Sequence, residues 1–133
     1  ESVSVTEGAV SVVVVNQGET ALSIDDGFWV DLYVNSHTVP TAVNQIWHDG
    51  RSSYGAAWAV TANILPGASL TLTVNDTYYA ADRSHLPPSW TATMLLYAQV
   101  DSHNPGSPYG AIQELHELLG EPYNNITGPV MTP

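Results

Sequence analysis

The chain has no cysteine, no lysine and a single phenylalanine among its 133 residues. Without cysteine there are no disulfides, no thiolate metal sites and no thiol nucleophiles. Two arginines stand against 13 acidic residues, and the formal charge of −11 makes nucleic acid and anionic membrane surfaces poor partners. Divalent cations are good ones on the same electrostatic ground. Long apolar runs are missing too, and none approaches the roughly 20 residues needed to span a bilayer. No GxSxG, HxH or HExxH pattern occurs, and the carboxylates show no acid/base pairing by spacing, so the expectation is a protein that is not an enzyme.

What is present is enough apolar sequence, 44% of the residues, to build one domain with a true core. The chain starts at Glu1, which reads as a mature product or a piece of something longer. Its Ser/Thr/Asn/Gly-rich, lysine-free character fits a location outside the cell or on its surface.

Period-2 patterning dominates. Ser2–Thr6 alternates Ser and Val as a short edge strand, and Ala9–Val15 is so β-branched that it suits a strand buried on both sides. Phe28–Val34 alternates, with Phe28, Val30, Leu32 and Val34 on one face and Trp29, Asp31 and Tyr33 on the other. Residues 43–47 read as a short edge strand, and residues 56–64, 69–74 and 91–100 as further strands separated by turn residues. Residues 111–117 read as the last strand, although AIQELHELL at 111–119 also has helical spacing. The fold class is then all-β, an antiparallel sandwich of about seven to eight strands. Residues 1–126 form the domain and residues 127–133 a tail. That tail folds back on its own domain or adds a strand to a neighbouring subunit.

In order along the chain, NQG at 16–18, FWVDLYVN at 28–35, YGAAW at 54–58, LPGASL at 65–70, YAQVDS at 97–102 and Glu117 ahead of Asn124-Asn125 resemble the CARDB family, cell-adhesion-related modules of bacteria and archaea. The resemblance covers roughly residues 9–126. It implies an extracellular immunoglobulin-like β-sandwich, often in tandem on surface proteins, without catalytic activity. The chain departs from the family in its short first strand and in the LLGEPY segment at 118–123.

In such a sandwich the loop before Phe28 and the loop after Val100 share one tip, which brings Asp25 and Asp26 toward Asp101 and Asn104 as oxygen ligands for Ca²⁺. The alternative is that these are turn residues bonding their own backbone. The opposite tip offers Glu7, Asp76 and Asn124, so stacked copies or tandem neighbours would meet acid to acid, with Ca²⁺ between them. Histidines 37, 48, 85, 103 and 116 invite a zinc reading, against which exposed loop histidines are the simpler account. Trp29 and Tyr33 would form an aromatic face for carbohydrate if they are not packed. Asn75 and Asn125 begin glycosylation acceptor patterns. The expectation is therefore a structural or adhesion module whose partners are copies of itself, with a carbohydrate-binding accessory module as the alternative.

Overall fold

The computed structural model describes residues 2–6, 9–107, 109–121 and 123–132. It is nearly all β, in two antiparallel sheets. β1 (Ser2–Thr6), β2 (Ala9–Val15) and β5 (Ser69–Thr73) form one sheet in the order β1-β2-β5. β3 (Phe28–Val34), β4 (Tyr54–Val60), β6 (Leu95–Val100) and β7 (Ile126–Met131) form the other in the order β4-β3-β6-β7.

Alternation builds the core. Val10, Val12 and Val14 of β2 and Leu72 of β5 face Phe28, Val30 and Leu32 of β3, Trp58 and Val60 of β4, and Leu96 and Ala98 of β6. Each such buried aliphatic or aromatic side chain contributes about 1.5–3 kcal/mol. Trp58, fully buried, ties the sheets together by donating from Nε1 to the Thr73 carbonyl at 2.9 Å. The other face of β2 is only half-buried, so this strand is covered on one side and not on both as its composition suggests.

β3 is the strand buried on both faces. The β3–β4 connection folds down over its outer side, and Val43, Ile46 and Trp47 pack there in turns and not as an edge strand. Gly55 makes room for this: a Cβ at that position would lie 2.4 Å from the Trp47 ring and 2.5 Å from the Leu32 carbonyl. The free edge of β4 is covered as well, because Tyr78, Ala80 and His85 bond to Ala59, Ala57 and Gly55. Covering an edge in this way removes a template for unwanted strand pairing.

The last strand is β7, not residues 111–117. Ile126 pairs with Gln99 and Met131 with Leu95, so the segment read from the sequence as a tail runs back along its own chain. Residues 111–121 and 123–125 instead form a loop carrying one helical turn, α1 (Leu115–Leu118). The pairing registers put the β2–β3, β4–β5 and β6–β7 connections at one end of the molecule, here the near end, and the β1–β2, β3–β4 and β5–β6 connections at the far end.

Candidate functional site

Polar side chains collect on the outer face of the four-stranded sheet, under the β3–β4 and β6–β7 connections. Asp31 is buried there, its Oδ2 accepting from Trp47 N at 2.9 Å and its Oδ1 from Ser102 Oγ at 3.1 Å. Burial pushes its carboxyl up to about 6 against the pull of those bonds and of His48 and Arg83. One register position over, the fully buried Tyr33 hydroxyl lies 2.7 Å from the Gln45 carbonyl and 2.5 Å from Gln99 Oε1. Gln99 in turn donates to the Ala42 carbonyl and to the Tyr123 hydroxyl. Burial holds the Tyr33 phenol neutral far above its ordinary range.

Trp29 and Tyr33 thus do not form the open aromatic face expected of them. Tyr33 is 0% exposed, and the Arg83 guanidinium sits 4.6 Å over the Trp29 ring. Loop residues 43–47 and 102–104 close the face because Asn44 bonds Ser102, Asn104 and Ser107 across it.

At the near end, Asp101 has a positive φ of 53° and turns its carboxylate onto the 110–112 backbone. Oδ1 accepts from Ala111 N at 2.8 Å and Oδ2 from Ile112 N at 2.7 Å. Gly110, at φ 77°, lies so close that a Cβ would be 2.3 Å from Oδ2. Burial raises this carboxyl to about 6 as well, with Glu117 and Glu114 adding repulsion. Asn104 spends Oδ1 on Gly106 N and Nδ2 on the Gly110 carbonyl. Asp26 caps its own turn by accepting from Ser23 N, and Asp25 is exposed.

Asp25, Asp26, Asp101 and Asn104 therefore do not make the Ca²⁺ ligand set expected at this tip. Two of them bind the backbone of residues 106–112, and a third caps its own turn. Among the described residues no group of three or more His, Asp or Glu side chains is placed to hold a metal ion. The second-tip set does not assemble either. Asp76 closes the turn after β5 through Thr73 N and Tyr78 N, and Glu7 lies outside the described residues. Asn124 belongs to the near end and not the far one, because the strand that follows it is β7.

No protein-family model, curated protein or solved structure matches this chain.

The histidines are dispersed. His85 stacks on Tyr54, His48 meets the Trp47 edge, and His103 is held below its ordinary value first by burial and then by Arg83. Of the glycosylation candidates, Asn75 is exposed, whereas Asn125 is buried and its acceptor nitrogen with it. Sequence reasoning missed Gln99 and Asn125 as buried polar groups and Tyr123 as a partner of Gln99. For Gln99 a signal existed: it sits in an apolar strand on the same face as the Asp31 it pairs with.

The near end also holds a cleft of about 560 Å³ between the end of β2 with the following loop, the 112–114 backbone, and residues 124–127. Its walls mix carboxylates and amides with apolar side chains.

Proposed function

We propose that this protein is a non-enzymatic, extracellular immunoglobulin-like module that joins head to tail with copies of itself or with tandem neighbours in surface arrays or fibres. The observation that carries the reading is the direction of the first and last strands. β1 starts at the near end, where Ser2 pairs with Val13, and β7 finishes at the far end, where Met131 pairs with Leu95. Chain direction and long axis therefore agree, and successive units would stack end on end. The block resemblance to cell-adhesion-related modules supports the same reading, as does the three-on-four antiparallel arrangement.

Each end offers exposed apolar side chains in an otherwise acidic surface. Ile24 and Leu65, the latter 64% exposed, stand at the near end, and Leu95 and Met131, the latter 60% exposed, at the far end. Four such side chains bury far less than the roughly 1,000 Å² of a stable interface, so free modules associate weakly and tandem linkage supplies the effective concentration. The charge of −11 opposes contact at low salt. The reading does not depend on calcium, since Asp101, Asn104 and Asp26 already accept hydrogen bonds from nearby backbone N–H groups.

Sedimentation equilibrium at raised concentration and salt tests it. Wild type should show concentration-dependent mass, and Ile24→Ser/Leu65→Ser should sediment as a monomer at the same concentration. Equal self-association by both would overturn the near-end contact.

A further inference from the structure

We infer that Asn75 is the acceptor for an N-linked glycan and that Asn125, which begins the same sequence pattern, is not. The inference rests on the extracellular part of the assembly reading and on none of its contact residues.

Sequence alone does not separate Asn75-Asp76-Thr77 from Asn125-Ile126-Thr127, but their places in the fold do. Asn125 is 4% exposed, its Nδ2 is enclosed, and its carbonyl accepts from Val100 N at 2.9 Å where β7 begins beside β6. A sugar on that nitrogen would force β7 away from β6. Asn75 instead stands exposed in the turn after β5, at φ 67°. Asp76 closes this turn by accepting from Thr73 N at 2.7 Å and Tyr78 N at 2.8 Å. The backbone is thereby fixed, while the Asn75 side-chain amide has no hydrogen-bond partner among the described residues.

Turn chemistry accounts for two of the three residues. A left-handed position favours Asn or Gly, and an Asp that caps the neighbouring N–H groups is ordinary turn composition. It asks nothing of Thr77, which is exposed and bonded to no described residue. A hydroxyl residue two places after an exposed Asn is what glycosyl transfer requires. In that transfer Asn75 Nδ2 attacks the anomeric carbon of a lipid-linked oligosaccharide diphosphate held by a membrane transferase. The N–C bond forms, the C–O bond to the diphosphate breaks, the lipid diphosphate leaves with the electron pair, and Nδ2 gives up one proton to a base of the transferase.

The position also gives a glycan something to cover. The outer strand β4 is shielded by residues 78–85, β7 carries Pro129, and β1 lies against β6 and β7. β5 is an outer strand too, without charge or proline, and its Ser69, Thr71 and Thr73 are exposed. Thr73 turns its N–H to Asp76 and its carbonyl to Trp58, so by alternation Thr71 points its peptide groups to the same open side. An edge of this kind is a template for unwanted pairing, and a hydrated glycan rooted two residues beyond Thr73 would shield it. β5 lies across the sandwich from β7, so the far-end side chains Leu95 and Met131 stay clear.

The test is secretion of the full chain, behind a cleavable signal sequence, from a eukaryotic host that performs N-glycosylation, with intact and peptide masses as the readout. Wild type should carry one glycan, and peptide N-glycosidase should remove it and leave an aspartate in place of Asn75. Asn75→Gln and Thr77→Ala should each abolish the added mass, Thr77→Ser should keep it, and Thr127→Ala should leave it unchanged without disturbing the buried Asn125. On heating, the enzymatically deglycosylated protein should aggregate several degrees earlier than the modified one, and an equal onset would overturn the shielding of β5. A folded, secreted wild type that is bare at Asn75, or one modified at Asn125, would overturn the assignment. Native protein found bare on the cell surface would overturn the site alone, whereas native protein found bare inside the cell would overturn the extracellular reading and the site with it.

Discussion

Replacing Asp31 with Asn should stabilise the protein by an amount that grows as pH rises from about 4 and is nearly complete above about pH 6. The carboxyl titrates near 6 when folded and near 3.8 in its ordinary state, with burial as the main cause. Over that interval the folded state holds more protons than the unfolded one, so the contribution of Asp31 to stability is highest near pH 4 and is lost as pH rises through 6. A carboxyl that ionises about two pH units later in the folded protein than in the unfolded chain costs the fold about 3 kcal/mol once fully ionised, an upper figure. Asparagine keeps the local geometry: its Oδ1 can accept from Trp47 N and its Nδ2 can donate to Ser102 Oγ, the two partners of the native carboxylate. Asp31→Asn should therefore gain about 2–3 kcal/mol at pH 7.5, a urea midpoint higher by about 1–2 M, and should match wild type closely near pH 4. Asp101 has the same sign, and His103, whose lowered value makes its contribution present above its unfolded pKa and lost as pH falls, has the opposite one. Both cancel in the difference between variant and wild type at each pH. Tryptophan fluorescence in urea at the two pH values reads the effect. A variant no more stable than wild type at pH 7.5 would refute the idea that an ionised Asp31 is buried at a cost.

Two other substitutions probe the covered face and the near-end turn. Trp47→Ala should cost about 3–5 kcal/mol in thermal or urea unfolding, since it empties the lid over Gly55 and loses the bond from Nε1 to the Arg83 carbonyl. A cost under about 1 kcal/mol would mean that the 43–47 segment is not packed on β3. Gly110→Ala should cost more than about 2 kcal/mol, because the residue has φ 77° and its Cβ would collide with the Asp101 carboxylate.

Strands whose inward residues alternate were legible in the sequence. Ser2–Thr6, Ala9–Val15 and Phe28–Val34 stand where period-2 patterning put them. The last strand was not, because ITGPVM carries Gly128 and Pro129, which punctuate a strand, while 111–117 offered better β and helix formers. Pro129 is tolerated because β7 is the outer strand of its sheet. That single misplacement moved Asn124 and Asn125 from one end of the molecule to the other and hid the cleft. The fate of Asp101 and Tyr33 was equally out of reach. Alternation shows which face a side chain occupies, but whether a distant connection folds over that face depends on tertiary contacts such as Asn44 with Asn104.

Intermolecular spin-label transfer tests the end-on-end contact most directly. With no native cysteine, Asp25→Cys gives a single nitroxide at the near end. Mixed with isotope-labelled wild type at high concentration and salt, it should broaden the amide resonances around Leu95 and Met131 at the far end. Broadening at Ile24 and Leu65 instead, along the sheet edges, or nowhere would contradict head-to-tail assembly.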